Sequence, residues 1–377
     1  MKALLLILFL TMFLIICLVT ITVMSQKHYL NYNSTAAKEF NYSDMLYPEN
    51  ALDRENVEQL KAKVLRILNA PVGSKCIVMS GATEGIASCI KWASEYIPKG
   101  VIVGSAYDHS AIGSNAKNFG MKYEKIDITK SPLPDNTAAV FISQVDSSTG
   151  EYQSVEDITD NIANEHYLID GGEAPKENDE RVLQYHPLIF LDATQSFMKL
   201  PIDMEKNNLN GVFFSVHKLG GEQGLGFLVI NEAKFPKFKP LIAGEQQEGL
   251  RGGTLPVQKL LEFPEIYDIV DNMYSRKDAW ERTFRQFKEA GVNVYEPKGK
   301  HLYSTFLIDT GEKCSKGIIS ELANEGIYIG AKSACSLEGG NRPESISEQG
   351  KNLIRISFRN GADIDERTVQ RIIDEIV

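Results

Sequence analysis

The chain has 377 residues, and 40 lysines and arginines against 50 aspartates and glutamates give it a formal net charge of -10. This acidic balance argues against a protein that holds nucleic acid on a basic surface, and 43% hydrophobic residues exclude intrinsic disorder. The five cysteines, Cys17, Cys76, Cys89, Cys314 and Cys335, are too few and too scattered for a disulfide scaffold or a structural zinc site.

The chain begins with an apolar segment, residues 3–24, that contains no charged side chain. Its length matches the hydrocarbon core of a bilayer, so an uncleaved single-pass membrane anchor is predicted for residues 1–26. A cleaved signal peptide and a buried helix are the alternatives. The segment exceeds the usual hydrophobic core of a signal peptide, and no small-x-small cleavage site follows it. Lys2 on one side and Lys27 and Lys38 on the other leave the orientation of the anchor open.

Helix-like and strand-like segments alternate from residue 50 onward. Apolar residues at helical spacing predict a helix over residues 53–70, which Pro71 and Gly73 end. Short apolar runs predict strands at 75–81, 101–105, 138–145, 188–193, 211–216 and 226–230. This rhythm is typical of a mostly parallel sheet with helices on both faces.

The pattern changes after residue 260. Helical stretches at 276–290 and 314–325 surround strands at 301–309 and 353–358, which predicts a second, smaller α/β domain. The charged stretch 171–187 is interpreted as a surface loop. The predicted organisation is an anchor (1–26), a large α/β domain (27–260) whose arm (27–50) packs on the small domain, and that small domain (261–377).

Two motifs provide residues suited to binding an ionic ligand. The run SGATEG, residues 80–85, follows a strand and opens a helix, so its N–H groups and the Thr83 hydroxyl are suited to an anion. A turn that needs glycine only for steric reasons is the alternative. Asp192 stands at the end of another strand, where an ionised carboxylate needs a partner. That partner is either a cationic ligand atom in the crevice at this edge or the backbone of the next turn.

A third motif carries a lysine. Ser215, His217 and Lys218 close another apolar run just before a glycine-rich turn. A partly desolvated lysine at this place is suited to forming a Schiff base, with a solvated loop lysine as the alternative. The three motifs together provide the contacts that pyridoxal 5'-phosphate demands, namely an amine, an anion cradle and an acid for the ring nitrogen.

In this order the motifs resemble those of the NifS/IscS-like cysteine desulfurases, within the class V aminotransferase family of fold-type I pyridoxal-phosphate enzymes. The matching segments cover nearly all of the chain after the anchor. They are YLNYNSTAA (29–37), SGATEG (80–85), YDHSAI (107–112), LDATQSFMKLPID (191–203), SVHKLGGEQGLGFLVI (215–230), GLRGGTLP (249–256), AKSACSLE (331–338) and LIRISF (353–358). The resemblance implies a mostly parallel seven-stranded sheet, a homodimer, L-cysteine as substrate and a protein that accepts sulfur.

The resemblance also implies a role for each matching residue. Lys218 would bind the cofactor covalently, and His109 would stack on its ring and assist proton transfer. Asp192 would keep the ring nitrogen protonated, and Gln195 would bond the phenolic oxygen. The implied phosphate ligands are Gly81, Ala82, Thr83, Ser215 and His217, with Thr254 reaching the other subunit's phosphate across the dimer, and the implied substrate-binding residues are Arg355 and Asn33.

Cys335 is the residue that separates desulfuration from transamination. It lies in the stretch GAKSACSLEGGNRP (330–343), whose small and polar residues are typical of a loop and not of a core. The resemblance implies that its thiolate takes sulfur from cysteine and that alanine is released. A thiolate needs a reducing compartment, so the catalytic domain is expected on the cytosolic side. Cys76, Cys89 and Cys314 are interpreted as structural.

The chain departs from the family pattern at three places. Ser147 stands where an asparagine near the phenolic oxygen is usual, Asn31 where an aspartate is usual, and the loop after Cys335 is compact. Three functions therefore stay open. They are a membrane-anchored cysteine desulfurase, another pyridoxal-phosphate enzyme such as a selenocysteine lyase or aminotransferase in which Cys335 is incidental, and a scaffold without the chemistry.

Overall fold

The computed structural model describes residues 28–30, 51–169, 187–231, 238–263, 276–331, 352–358 and 365–377. The predicted anchor, residues 1–26, lies outside these ranges, as do Asn33, Cys335 and nearly all of the predicted loop 171–187. Within the described ranges no helix has both the length and the apolar character needed to cross a membrane.

A seven-stranded sheet forms the centre of the large domain, with the strand order β2-β8-β7-β6-β5-β3-β4. Its strands are β2 (Lys75–Met79), β3 (Val101–Gly104), β4 (Lys122–Lys125), β5 (Thr137–Ser143), β6 (Leu188–Asp192), β7 (Gly211–Ser215) and β8 (Gly226–Ile230). The pairs from β4 to β7 are parallel, and β8 is antiparallel to both of its neighbours. The predicted mostly parallel seven-stranded sheet is confirmed.

Helices cover both faces of this sheet. They are α1 (Ala51–Ile67), α2 (Ala82–Tyr96), α3 (Ser110–Asn118), α4 (Val155–Ile169) and α5 (Val257–Leu261). Successive strand residues enter opposite cores: Phe213 packs with α2 and α3, whereas Phe214 packs with α1, α4 and α5. Because both faces are covered, the central strands are mostly apolar between their end residues, and all of β5 is buried.

The small domain is built on a five-stranded sheet with the order β1-β11-β12-β10-β9. Its strands are β1 (His28–Leu30), β9 (Asn293–Val294), β10 (Thr305–Asp309), β11 (Ile327–Ala331) and β12 (Leu353–Ser357), and its helices are α6 (Lys277–Glu289), α7 (Ser315–Asn324) and α8 (Glu366–Ile376). Strand β1 comes from the N-terminal arm and pairs in parallel with β11. The strand predicted at 301–309 begins only at Thr305, because its pairing with β12 starts there.

The architecture brings the ends of several strands to one edge of the large sheet. Ser143, the last residue of β5, is the register partner of Asp192, the last residue of β6. The neighbouring β7 ends at Ser215. In parallel sheets this carboxyl edge borders the crevice where ligands bind. The residues predicted to bind the cofactor follow these strand ends.

Candidate active site

The SGATEG run forms the predicted turn between β2 and α2. Gly81 is the N-cap of α2, and the N–H of Ala82 donates to the Ser215 hydroxyl over 2.7 Å. A side chain on Gly226 would come within 2.6 Å of the Gly81 Cα, so only glycine lets β8 approach the turn this closely. Thr83 follows in the first helical turn, where N–H groups have no partner inside the helix. These contacts unite four of the residues predicted to hold a phosphate.

His217 and Lys218 lie in a 3₁₀ turn, Val216–Leu219, that continues directly from β7. Gly220 ends the turn in the left-handed conformation, with φ of 93°. Both side chains are half-buried. Desolvation and the neighbouring Lys218 charge lower the pKa of His217 to about 4. The imidazole of His217 is therefore neutral at pH 7 and can donate one N–H to a ligand.

Asp192, His109 and Lys218 form a group of mutually interacting charges. Desolvation raises the pKa of Asp192, while a hydrogen bond from the Thr194 N–H, 2.9 Å long, and the charges of His109 and Lys218 act in the opposite direction. Desolvation lowers the pKa of His109, and Asp192 opposes this effect. Asp192 thus accepts a hydrogen bond from the next turn, which is one of the two alternatives, and it also lies near His109 and Lys218. A cationic ligand atom as its partner stays a prediction.

The orientation of the His109 ring is fixed by its place at the start of α3. His109 is the N-cap residue, and its Nδ1 accepts the N–H of Ala111 over 3.2 Å. An acceptor nitrogen carries no proton, so in the neutral ring the proton is on Nε2. Nε2 is therefore the atom through which His109 can exchange a proton with a ligand.

Asp108 supports this turn and was missed in the sequence. Its carboxylate accepts hydrogen bonds from the hydroxyls of Ser105 (2.9 Å), Ser143 (2.8 Å) and Tyr123 (3.0 Å). Desolvation nevertheless raises the pKa of Asp108 to about 6. The network connects the chain just before His109 to the ends of β3 and β5. The only sequence signal was its position directly before His109.

A second residue missed in the sequence is Lys199. It is half-buried in the turn after β6, within a motif that was quoted without giving this lysine a role. Desolvation and the charges of Arg276 and Lys218 lower the pKa of Lys199 to about 7. The site thus contains a second amine that loses its proton near neutral pH, within electrostatic reach of Lys218.

Arg355 belongs to the small domain and contacts the large domain. It lies in β12, an inner strand of the small sheet, and only 2% of its surface is exposed. Its Nη1 donates to the carbonyl oxygen of Ser147 over 3.3 Å. The alternative of a surface arginine at a strand edge is thus excluded. Because the contact uses the backbone of Ser147, it does not depend on which side chain occupies that position.

The remaining predicted residues differ in their surroundings. Gln195 is buried in the turn after Asp192. Thr254 is exposed, in a segment that an Arg251–Glu84 ion pair attaches to the SGATEG turn. Asn33 and Cys335 are not among the described residues, so their roles stay predictions.

The three cysteines interpreted as structural differ in their exposure. Cys76 and Cys89 are buried, and desolvation raises the pKa of both thiols. Cys314 is exposed, and the N–H groups of Gly317 and Lys316 at the start of α7 lower its pKa. Cys314 is the N-cap of α7, a helix that begins at the surface, and the interpretation of the three cysteines as structural stays a prediction.

Sequence comparison identifies the family. The family model Aminotransferase class-V matches residues 20–174 and 174–366, so the chain belongs to this family. Among its curated relatives, a cysteine desulfurase IscS from Glaesserella parasuis is 26% identical over 307 residues, which cover 75% of this chain and 70% of the relative. One from Plasmodium falciparum is 28% identical over 60% of this chain and 41% of the relative. One from Serratia proteamaculans is 30% identical over 58% of this chain and 54% of the relative.

The predicted resemblance to the NifS/IscS-like group is confirmed by these relatives. The chain spans about half the length of several of them, between 41% and 70% in the three described. Solved structures agree on the fold. A NifS-like protein has a TM-score of 0.74 at 20% identity, covering 93% of this chain and 98% of that chain. The cysteine desulfurase CsdA from Escherichia coli has a TM-score of 0.71 at 17% identity, covering 93% and 94%.

Pyridoxal 5'-phosphate is the cofactor of this family, and the described residues fit it. Among the described residues, Oε1 of Gln144, a buried atom just after the end of β5, has no hydrogen-bond partner. Burying such an atom without a partner costs about 1–3 kcal/mol, so the edge is suited to a polar ligand. The Ser215–Ala82 turn and the Asp192–Lys218 pair provide the anion cradle, the acid and the amine.

Proposed function

We propose that the protein is a pyridoxal-phosphate-dependent cysteine desulfurase, which converts L-cysteine to L-alanine and retains the sulfur on Cys335 as a persulfide. The observation that carries this proposal is the charge group at the edge of the sheet, where Lys218 and His109 both interact with Asp192. The names of the curated relatives support the reaction type. When it is bound at this site, the cofactor would withdraw electrons from the substrate's α-carbon.

The residues of the chain would divide the remaining work. The Lys218 amine binds the cofactor and afterwards moves protons, and Asp192 keeps the ring nitrogen protonated. Nε2 of His109 exchanges a proton with the substrate, since Nδ1 is occupied by the Ala111 N–H. The guanidinium of Arg355 holds the substrate carboxylate, for which its paired N–H donors are suited.

Cys335 would perform the sulfur transfer. Its thiolate attacks the substrate sulfur, an S–S bond forms, and the C–S bond breaks with its electron pair remaining on the substrate carbon. Protonation of that carbon completes alanine. The products are alanine and a persulfide on Cys335, and the reaction needs no external oxidant. A protein acceptor then takes the sulfur.

We also propose the assembly and location of the protein. The uncharged apolar stretch 3–24 within the predicted anchor, residues 1–26, supports attachment to a membrane, and the need for a thiolate supports a catalytic domain on the cytosolic side. A homodimer is supported by the exposed apolar residues Leu241 and Ile242, which lie on the segment that leads to Thr254. In such a dimer Thr254 reaches the partner's phosphate.

Mass spectrometry after incubation with L-cysteine tests the proposal. We expect one additional sulfur on the peptide that contains Cys335, together with release of alanine. Cys335→Ser should abolish both while the visible absorbance of the bound cofactor persists. Bound cofactor without alanine release, even with added reductant, would favour another reaction of the class V family. A protein that binds no cofactor would instead be a scaffold.

A further inference from the structure

Glu84 is an unexpected residue at the start of α2. It belongs to the first turn of this helix, three positions after the N-cap Gly81, at the end that is proposed to hold the cofactor's phosphate. Its side chain is only 8% exposed. An ionised carboxylate near a phosphate repels it, and the repulsion is strong where water is excluded. A phosphate site at this helix end therefore needs a way to neutralise Glu84.

Arg251 provides the neutralising charge. Its Nε donates to Oε1 of Glu84 over 2.9 Å, and its Nη2 donates to Oε2 over 3.2 Å. The N–H of Ser80 donates to Oε2 over 2.7 Å. Burial raises the pKa of Glu84, but the hydrogen bonds from Arg251 and Ser80 outweigh this and leave the pKa below its ordinary value. Glu84 is therefore ionised, and its charge is balanced by a two-pronged contact with a guanidinium.

We propose that Arg251 is a positioning residue for the cofactor: by neutralising Glu84, it allows the SGATEG turn to accept a phosphate dianion. The inference rests on the proposed function, because that function supplies the phosphate. Glu84 is useful for a different reason, since it orients the Ser80 N–H and holds the segment that carries Thr254. Arg251 removes the electrostatic cost of this arrangement.

The Arg251 segment has other attachments, which make the charge effect measurable. The amide of Gln247 pairs with the backbone of Val78 on the edge strand β2, accepting from N over 2.7 Å and donating to O over 3.0 Å. Glu248 pairs with Lys75 over 2.7 Å. These contacts do not involve Arg251. We therefore expect the segment to remain on β2 when the guanidinium is removed, so that the main loss is the balancing charge.

The test compares the binding of pyridoxal 5'-phosphate and of pyridoxal, which lacks the phosphate, to cofactor-free protein. Arg251→Met should weaken pyridoxal 5'-phosphate binding about tenfold or more, because it leaves a buried charge without its partner. Pyridoxal binding should change less than about twofold. In Glu84→Gln/Arg251→Met the unbalanced carboxylate is gone, and most of the phosphate-dependent affinity should return. Glu84→Gln alone should bind pyridoxal 5'-phosphate at least as tightly as the wild type.

Three results would overturn the role of Arg251. They are an equal loss of affinity for both compounds, a double variant no better than Arg251→Met, or a loss in Glu84→Gln as large as in Arg251→Met. Each would mean that the pair only holds the turn together. Thermal unfolding shows which variants are folded. If Arg251→Met does not fold, the affinity of Glu84→Gln for pyridoxal 5'-phosphate decides whether the role of Arg251 stands. Wild-type protein that binds no pyridoxal 5'-phosphate would overturn the proposed function as well.

Discussion

At the proposed cofactor end of the site, the side chains come from neighbouring strands of one sheet: Asp192 ends β6, and Ser215 ends β7 just before Lys218. At the proposed substrate end, Arg355 comes from the other sheet and contacts the large domain at the carbonyl of Ser147. The first arrangement is held by continuous strand pairing, whereas the second depends on how the two domains pack. Changes at the two ends should therefore have separable effects on cofactor and on substrate.

The largest effect is expected for Lys218→Ala, which removes the amine at the cofactor end. Covalent cofactor and alanine production should both be lost, with activity falling by at least about a thousandfold. Visible absorbance and alanine release measure this. Lys199→Met is the matched control, because it removes a half-buried amine whose pKa is also lowered by the charge of Lys218. Peptide mapping should still find the cofactor on Lys218 in that variant, and attachment to Lys199 in the wild type would contradict the assignment.

A large effect restricted to the substrate end is expected for Arg355→Met. It should raise KM for cysteine about a hundredfold, because the substrate carboxylate would lose the buried guanidinium proposed to hold it. The affinity for pyridoxal 5'-phosphate should change little. Steady-state kinetics and cofactor titration check the two halves of this prediction. If cofactor affinity fell as much as substrate affinity, the two ends of the site would not be independent.

A smaller effect with the opposite pattern is expected for Ser215→Ala. The Ala82 N–H would lose its acceptor, and the turn would be held less firmly against β7. Cofactor affinity should fall about tenfold, and the free energy of unfolding by about 1–2 kcal/mol. KM for cysteine at saturating cofactor should stay nearly unchanged. Titration and urea unfolding measure these quantities. A raised KM without a change in cofactor affinity would show that Ser215 acts at the substrate end and not at the cofactor end.

The smallest effect is a pH dependence of the unfolding free energy that comes from Asp108, which lies in the turn before His109 at the cofactor end. Its pKa of about 6 in the folded protein lies above the ordinary value of 3.8, so the folded state binds the proton more tightly than the unfolded state does. This stabilising contribution is present at pH 4 and is lost as the pH rises to 6. Relative to Asp108→Asn, the wild type should therefore lose about 1–2 kcal/mol of unfolding free energy over that interval.

Urea unfolding of the wild type and Asp108→Asn at several pH values measures this difference. His217, with a pKa of about 4, also titrates in the interval, but it does so in both proteins and cancels in the comparison. A difference in stability that did not vary with pH would show that folding does not shift the pKa of Asp108.

The central strands and helices α1, α6 and α7 were predictable because their residues are apolar wherever the fold buries them. Strand β4 was missed, since it lies at the edge of the sheet and its sequence KYEK has no fully buried position. The start of the strand at 301–309 was wrong because pairing begins at Thr305, and apolar residues before it were indistinguishable from strand residues. Helix α8 was also missed, although Asp365 caps it and its buried positions follow a helical repeat.

The sequence by itself determined the elements and the short motifs at their ends, because hydrophobic periodicity and turn residues act over a few neighbouring positions. The residues that support the site were decided only by the tertiary structure. Arg251 and Glu84 are 167 residues apart, and Arg355 and Ser147 are 208 apart. Side chains so distant in the chain meet only when strands and domains pack. Burial in the packed protein also shifts the pKa values of Asp108 and Lys199.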